Sequence, residues 1–337
     1  MSKPWQRREM MQAALAAIAA GPACDRVRIA SQVAGTDGIV TETESGEVAL
    51  SPITDNASFY IYYCCELPDV TNWWCGVRFG ADQVARFDEA TLATIEPTLF
   101  EATLECIGSQ PGSVRMGNAI WGGISLGDLL DLLGVTPPES AVEMRVTGLD
   151  GYDAALPVEI ARDGIWVVWQ MNGEPLTLEH GAPCRLIVPG RYGIKNIKWV
   201  SEIAWEDGPV FAFWDEFGGW SHHGLIQLHG YILVPARWDP VVSGPLRLLG
   251  AAFAGTTTIA RVEVSTDGGP WEEAVIDYSP GADIWTLWHF DTNVDPGEVS
   301  FQVRVTDANG ETSLLDPAGT DPLIGYDAGQ LTTLVVT

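Results

Sequence analysis

The sequence predicts two consecutive domains, a mixed α+β domain over residues 31–230 and an all-β sandwich over residues 231–337, after an N-terminal segment of residues 1–30. Three observations support this prediction. A chain of 337 residues is too long for one small core. The first part mixes short apolar runs with helical spacing. From about Gln227 onward, strand-like runs recur between turn signals.

The first domain is predicted to combine several strands with helices. We predict strands at Ser58–Cys65, Trp73–Gly80, Phe100–Ile107, Val142–Val146, Trp166–Gln170, Cys184–Val188 and Lys198–Ala204. Helical spacing over Asp82–Ile95 predicts one helix, and Pro157–Arg162 predicts a short one. A further helix is expected to begin after an N-cap at Ser125 and to end at Gly134.

The second domain reads as strands throughout. Ile259–Ser265 alternates strictly, and Thr266–Gly269 follows as a hairpin turn. Further strands are predicted at Trp285–Phe290, Val299–Thr306 and Leu331–Val336. Regularly spaced strands with turn signals are typical of an immunoglobulin-like β-sandwich.

Acidic residues dominate the charge of the chain. Its 45 Asp and Glu face 18 Lys and Arg, and the formal net charge is −27. Such a surface repels phosphates and anionic lipid headgroups, so we expect no nucleic-acid partner. An anionic substrate would need a locally positive pocket. Solubility, or adaptation to a salty medium, is the simpler explanation of this charge.

The N-terminal segment has the organisation of an export signal. Arg7 and Arg8 precede an Ala-rich apolar stretch, Ala13–Ala20, which ends in small residues before Cys24. Adjacent arginines are typical of the twin-arginine route, so we expect a periplasmic or otherwise exported protein. Cys24 is an alternative lipid-anchoring point, and a plain amphipathic helix is the alternative to export. No run of about 18 apolar residues predicts a membrane span.

Cysteine spacing leaves a disulfide open. The chain has no CxxC and no Cys/His cluster at zinc spacing. In an exported protein Cys64 or Cys65 could pair with Cys75. Adjacent strand residues point to opposite faces, so at most one of the two would face Cys75.

Two segments carry candidate chemistry. Cys106 ends a predicted strand before a glycine-containing loop, where a thiol can reach a cofactor or a substrate; a buried small hydrophobe is the alternative. Four basic residues fall between Arg185 and Lys198, a segment that holds two of the chain's three lysines. Glycine amides and cations together favour an anion site there, with a solvated basic loop as the alternative.

A third cluster lies at Phe211–His223, and it contains the adjacent His222 and His223. Such a pair suits metal binding or acid–base work, although idle exposed histidines are common. No GxSxG sequence supports Ser-His-Asp catalysis.

Several blocks together resemble one known family. In the first domain the blocks are Glu105–Gly108, Gly117–Leu130, Asp150–Tyr152, Met171–Leu176, Glu179–Gly181 and Pro183–Trp199. They are similar to the molybdopterin-binding domain of sulfite oxidase-like enzymes. Ala252–Gly255, Arg261–Gly269 and Trp285–Trp288 are similar to the immunoglobulin-like dimerisation domain of that family.

The resemblance implies an oxidoreductase that carries the molybdenum cofactor. It implies that Cys106 is the thiolate ligand of molybdenum, as suits a soft sulfur donor. It implies that the pterin phosphate is held by Arg185 and Lys198, with further help and cofactor lining from Lys195, Tyr192, Asp150, Tyr152 and His180. The family reaction moves an oxygen atom to or from a sulfur centre and passes two electrons to a partner. The family resemblance also implies a homodimer.

Departures from the animal and plant enzymes concern the substrate. Those enzymes carry an Arg and a His where this chain has Phe59–Cys65, and an Asn and an Arg where it has Ser109 and Gln110. Their pocket tyrosine corresponds to Trp220, a candidate catalytic residue, and their C-terminal pocket arginine falls at Ile324. Each lost charge-assisted contact to sulfite would cost about 1.5–3 kcal/mol, which favours a neutral substrate.

The string Phe213–Ser221 is closer to a bacterial branch of the family. Since no CxxCH haem sequence is present, we expect electrons to pass to a separate carrier such as a cytochrome c. Two alternatives stay open. One is the reverse chemistry, reduction of a sulfoxide or N-oxide. The other is a non-catalytic binding module with a degenerate cofactor site.

Overall fold

The computed structural model describes residues 40–42, 48–63, 66–111, 114–217, 219–236, 239–315 and 325–337. The proposed export signal, Cys24, Cys64, Cys65 and Ile324 lie outside these residues. Among the described residues, no helix has the length and apolar character needed to cross a membrane.

The first half is built on two five-stranded sheets and three short helices. Its strands are β1 Val40–Glu42, β2 Val48–Leu50, β3 Trp74–Phe79, β4 Asp82–Asp88, β5 Thr98–Glu105, β6 Met116–Ser125, β7 Glu143–Gly148, β8 Asp153–Pro157, β9 Trp166–Met171, β10 Glu174–Pro175, β11 Arg185–Ile187 and β12 Val200–Glu206. Its helices are α1 Glu89–Leu92, α2 Leu126–Leu133 and α3 Phe213–Phe217, with 3₁₀ turns at Val158–Ile160 and Gly193–Lys195.

One sheet has the order β10-β9-β6-β5, with β11 also paired to β9, and the other has the order β4-β3-β12-β7-β8. Within the second of these sheets, β12 pairs with β3 in parallel. All other described strand pairs in the two sheets are antiparallel. A small hairpin, β1–β2, stands beside them. The architecture is therefore mixed, as predicted, but contains little helix.

The second half is a β-sandwich, as predicted. Its strands are β13 His229–Val234, β14 Gly244–Phe253, β15 Ile259–Thr266, β16 Trp271–Glu273, β17 Val275–Tyr278, β18 Thr286–Val294, β19 Gly297–Asp307 and β20 Leu331–Val336. They form the sheets β13-β14-β18-β17 and β16-β15-β19-β20. Between the sheets lies a core that includes Leu248, Trp288, Val262 and Phe301, all fully buried.

Two of the predicted elements are wrong. No strand forms over residues 58–63, because Phe59 and Tyr60 turn inward instead, and Phe59 packs edge-on against Trp121. The predicted helix over Asp82–Ile95 is mostly strand β4, since Gly80 adopts a φ of 53° and turns the chain back onto β3. Only α1 is helical there.

Other predictions hold closely. Helix α2 begins after Ser125, whose side chain accepts a hydrogen bond from the amide of Asp128, and it ends at Gly134 with a φ of 69°. Leu126, Leu129 and Leu130 are its buried stripe. Cys75 is a free thiol, fully buried in the core of the first half, and its two possible disulfide partners lie outside the described residues.

Strand β5 connects the two halves directly. The hydroxyl of Tyr278 donates to Glu101 at 2.6 Å, and the amide of Trp285 donates to the hydroxyl of Thr103 at 2.9 Å. The hydroxyl of Tyr231 donates to Glu105 at 3.3 Å. The end of β5, where Cys106 lies, is therefore held from both sides.

Candidate active site

Cys106 lies one residue beyond β5, in the tight loop that leads to β6. Its amide donates to the carbonyl of Arg115 at 2.9 Å, and its own carbonyl accepts from the amide of Ser109 at 2.8 Å. The residue is half-buried and free of any disulfide. Burial raises the pKa of the thiol, and the amide of Gly108 and the charge of Arg115 oppose that rise. The thiol is thus fixed in place without being sealed in the core.

Tyr60 stands between Cys106 and the basic segment. Burial raises its pKa strongly, and the charges of Cys106, Arg185 and Arg115 all act on its hydroxyl. That hydroxyl would lie 3.1 Å from a Cβ placed on Gly193. The charges of the Cys106 thiol and of the Arg185 guanidinium therefore both act on this buried phenol.

Arg185 is buried and bonds only to backbone carbonyls among the described residues. Its Nη1 donates to the carbonyl of His180 at 3.0 Å and its Nη2 to that of Asn196 at 3.4 Å. The guanidinium lies 5.3 Å from the ring centroid of Trp121, and its Nε is buried without a hydrogen-bond partner. Burial lowers the pKa of Arg185 to about 10.

Lys198 lies next to Arg185 across Gly181. Its Nζ donates to the carbonyl of Glu179 at 2.9 Å and stands 4.4 Å from the ring centroid of Trp199. Gly181 has a φ of 108°, and a Cβ there would come within 3.1 Å of the side chains of both Arg185 and Lys198. The aliphatic parts of both side chains therefore pack closely against a glycine, where no larger residue would fit.

His180 and Asp150 complete this group. His180 Nε2 donates to the carbonyl of Asn56 at 3.0 Å, and burial, with Arg185 and Lys198 nearby, lowers its pKa. Burial raises the pKa of Asp150, and the charge of Lys198 counters it. The structure thus brings together Arg185, Lys198, His180 and Asp150.

Lys195 and Arg191 lie in a different neighbourhood, although they belong to the same sequence segment. Burial lowers the pKa of Lys195, and Asp215 and Glu143 act in the opposite direction. His222 joins these two carboxylates, with its Nδ1 3.1 Å from Asp215 and its Nε2 2.5 Å from Glu143.

The two tyrosines among the predicted site residues form hydrogen bonds to backbone groups. The hydroxyl of Tyr152 donates to the carbonyl of Ile194 at 2.7 Å. The hydroxyl of Tyr192, which is fully buried, accepts from the amide of Gln227 at 3.2 Å. Trp220 stacks on Trp214 with the ring centroids 4.1 Å apart. It belongs to the edge of an apolar cluster that contains Ile107 and Tyr192.

Sequence reasoning missed three kinds of residue at this site. Tyr60 was assigned to a strand, and Arg115 was passed over because it stands alone between the two matched blocks. Glu105 was noted only as part of a block. It is 1% exposed and faces His229, with Glu105 Oε2 3.3 Å from His229 Nε2. Burial raises the pKa of Glu105 to about 8 and lowers that of His229 to about 4. The sequence offered one signal for Glu105, namely its position directly before the candidate metal ligand Cys106.

Comparison with known proteins agrees with this geometry. The family described as oxidoreductase molybdopterin binding domain matches residues 65–214. The human mitochondrial sulfite oxidase is 26% identical over 246 residues, which cover 60% of this chain and 45% of that protein. The Drosophila melanogaster enzyme is 36% identical over 211 residues, covering 52% of this chain and 37% of that one. The chain therefore spans less than half the length of these relatives.

A solved structure extends the match to both halves. The crystal structure of the sulfane dehydrogenase SoxCD from Paracoccus pantotrophus superimposes with a TM-score of 0.74, over 86% of this chain and 84% of that one, at 22% identity. At that identity the match supports the fold.

Residues 65–214 match the molybdopterin-binding domain family, and the chain is similar over this region to sulfite oxidases. Its matched region contains Cys106 together with Arg185 and Lys198.

The residues present fit the cofactor of this family. A buried guanidinium without a carboxylate partner in the described part of the chain is unfavourable unless an anion approaches it. The Nε of Arg185, which has no hydrogen-bond partner, and the nearby Lys198 would suit a phosphate. The thiol of Cys106 supplies the soft donor that molybdenum requires. The phosphate end would fall to Arg185, Lys198 and His180, and the metal end to Cys106.

Proposed function

We propose that this protein transfers an oxygen atom to or from a small sulfur-containing substrate, with the molybdenum cofactor bound through Cys106. The observation that carries this proposal is the set of donor groups within the matched region. Cys106 offers a free, half-buried thiol just beyond β5, and Arg185, which packs beside Gly181 as Lys198 does, is buried with an Nε that has no hydrogen-bond partner. A sulfur donor and a pair of cations suit a cofactor that carries a metal and a phosphate.

The cofactor, when bound, would supply the two-electron oxygen-transfer chemistry. The protein's own residues do the positioning. Cys106 fixes the metal end, and the backbone contacts of Arg115 and Ser109 hold the cysteine. Arg185 and Lys198 would hold the phosphate end, with His180 beside them, where burial lowers its pKa.

Electrons have to leave the site for an external carrier such as a cytochrome c, and we propose that they do so from an exported protein. We also propose a homodimer, formed through the second half, which light scattering of the purified protein would test; a monomer would contradict it.

The test is the metal and pterin content of the purified protein. We expect about one molybdenum per chain in the wild type and a near-complete loss of activity in Cys106→Ser. Cys75→Ala is the matched control, since that thiol is also free but lies in the core of the other sheet. A folded wild type without molybdenum would refute the proposal, as would unchanged activity in Cys106→Ser.

Reaction direction needs a separate assay. Sulfite-dependent reduction of cytochrome c is compared with sulfoxide-dependent oxidation of a reduced dye. Because the solved structure of similar fold is named a sulfane dehydrogenase, a sulfane-sulfur compound belongs in the same panel. Turnover of sulfite or of the sulfane-sulfur compound would support the oxidative direction, and turnover of the sulfoxide alone would favour the reductase alternative.

A further inference from the structure

One of the two adjacent histidines singled out in the sequence lies between two carboxylates. His222 Nδ1 is 3.1 Å from Asp215 Oδ2, and His222 Nε2 is 2.5 Å from Glu143 Oε1. The side chains of Asp215 and Glu143 are largely buried, whereas that of His222 is 36% exposed and can exchange a proton with solvent. The metal-binding and phosphate-binding roles proposed above leave this arrangement without a function.

The position of the ring requires a proton on each of its nitrogens. A neutral imidazole carries one N–H, so its second nitrogen would direct a lone pair at a carboxylate oxygen. An imidazolium donates from both nitrogens, and such charge-assisted hydrogen bonds are short and strong. Histidine is the side chain that ordinarily changes charge between about pH 5 and 8. Both contacts of His222 therefore form when the ring is protonated, and one of them is lost with the proton.

These contacts join the Trp220 loop, residues 219–224, to strand β7. Glu143 belongs to β7, and its other oxygen, Oε2, accepts from the amide of Val210, so this carboxylate is fixed in place. Within the loop the amide of Gly224 donates to the hydroxyl of Ser221 at 3.1 Å. A change at the imidazole of His222 is therefore transmitted to the loop and is not absorbed by movement of Glu143.

The Trp220 loop contributes to the surroundings of the candidate metal ligand. Trp220 stacks on Trp214 with an angle of 12° between the rings, and its amide donates to the carbonyl of Trp214 at 3.3 Å. Trp214 belongs to the apolar cluster that contains Ile107, the residue directly after Cys106, and Trp220 packs against that cluster. The attachment of the loop to β7 therefore bears on the apolar surface beside Cys106.

Further charged groups surround the pair of carboxylates. Those that the described residues place around this network are Lys195, Arg191, His223, Arg145 and Asp153. Lys195 is buried and lies near both Asp215 and Glu143. Because Lys195 counters the same two carboxylates, loss of the His222 proton should loosen the loop and not unfold the domain. His223 is exposed, with its ring centroid 5.4 Å from that of His222.

We propose that His222 is a pH-sensitive tie, which in its protonated form holds the Trp220 loop against the apolar cluster beside Cys106. Loss of the proton removes one of its two carboxylate contacts and lets the loop move away from β7. The tie itself is independent of the reaction that the protein catalyses. Its effect on turnover rests on the proposed function, in which His222 is a positioning residue that acts through Trp220.

The test is hydrogen exchange of the amides in the Trp220 loop at about pH 6 and about pH 9. Each variant is compared with the wild type at the same pH, so that the intrinsic pH dependence of exchange cancels. His222→Gln should speed exchange about three- to tenfold at the lower pH and less than about twofold at the higher one, where the wild-type ring has lost its proton. His223→Gln, the matched control, should stay within about twofold of the wild type at both.

Two results would overturn the inference. One is equal exchange of the wild type and His222→Gln at the lower pH. The other is a difference of the same size at both pH values, because a purely structural role of His222 would not depend on its proton. Asp215→Asn removes one of the two carboxylate charges, should show the same pattern as His222→Gln, and decides the question if His222→Gln does not fold.

Steady-state kinetics separates this inference from the proposed function. For the substrate that the wild type turns over, His222→Gln should lower kcat/KM severalfold at about pH 6 and less at about pH 9, with unchanged molybdenum content. A loop that loosens with pH while kcat/KM stays at the wild-type value would overturn the positioning role. A loop that loosens with pH in a protein without molybdenum would support the tie and refute the proposed function alone.

Discussion

Two pairs of basic residues come from one fourteen-residue segment yet lie in opposite electrostatic surroundings. Arg185 and Lys198 donate to backbone carbonyls, and Arg185 has no carboxylate partner among the described residues. Lys195 lies near the carboxylates of Asp215 and Glu143, whereas Arg191 donates to the carbonyl of His223.

This difference distinguishes a cation that is suited to bind a ligand anion from one, such as Lys195, whose charge is countered by neighbouring carboxylates. A cation whose charge is already countered by neighbouring carboxylates gains little from an additional anion. A buried cation bonded only to neutral carbonyls gains a great deal, since its desolvation is otherwise poorly offset. Clustering in the sequence predicted an anion site, and on the basis of these surroundings we propose that Arg185 and Lys198 form it.

The largest expected effect comes from removing the first pair. Arg185→Met should reduce retained pterin and molybdenum about tenfold or more, because a charge-assisted hydrogen bond contributes about 1.5–3 kcal/mol. Lys198→Met should act in the same direction. Metal analysis and pterin fluorescence of the purified variants measure both.

Lys195→Met is the matched control, since it removes one cation from the same segment. We expect its molybdenum content to stay within about twofold of the wild type. Equal losses in Lys195→Met and Lys198→Met would contradict the separation of the two pairs.

A smaller effect is expected at the glycine between Arg185 and Lys198. At Gly181 the φ of 108° disfavours any side chain. A Cβ there would lie about 3 Å from the side-chain carbons of both Arg185 and Lys198. Gly181→Ala should therefore destabilise the fold by about 1–3 kcal/mol and weaken cofactor retention as well. Urea unfolding measures the first and metal content the second. Gly208→Ala, with open space around its Cβ position, should leave both unchanged.

Sequence patterns predicted the parts of the molecule that local rules determine. The helix between Ser125 and Gly134 was predicted from its cap and stripe, and the strand that delivers Cys106 was predicted from its alternation. The segment at Phe59 and Tyr60 was misassigned because aromatic residues favour strands, whereas here tertiary packing against Trp121 decides.

The site itself was predicted only in part. Cys106, Arg185 and Lys198, which we propose as the anchors of the cofactor, stand in the blocks that carry the family resemblance. Arg115 and Tyr60 reach the site by a hairpin register and by a buried turn, and neither leaves a periodic signal in the sequence. The positions of these two residues depend on contacts between distant parts of the chain, and such contacts cannot be predicted from local sequence patterns.

The smallest expected effect tests the second pair's surroundings. Burial alone raises the pKa of Glu143, but hydrogen bonds from the amide of Val210 and from His222 outweigh it and hold the pKa below its usual value. A carboxyl with a lowered folded-state pKa adds stability above its unfolded pKa of about 4.3, and that stability is lost as the pH falls through the folded value.

Glu143→Gln should therefore lower the free energy of unfolding at pH 7 by at most about 1 kcal/mol, and the difference from the wild type should shrink toward pH 3. Urea midpoints at pH 7, 5 and 3.5 measure this, with the exposed Glu159→Gln as the control. If the two proteins kept the same midpoints at every pH, Glu143 would contribute nothing to the network. The positive charge of Lys195 would then be countered less strongly than we propose. Lys195 and Arg185 would in that case differ mainly in how deeply each is buried.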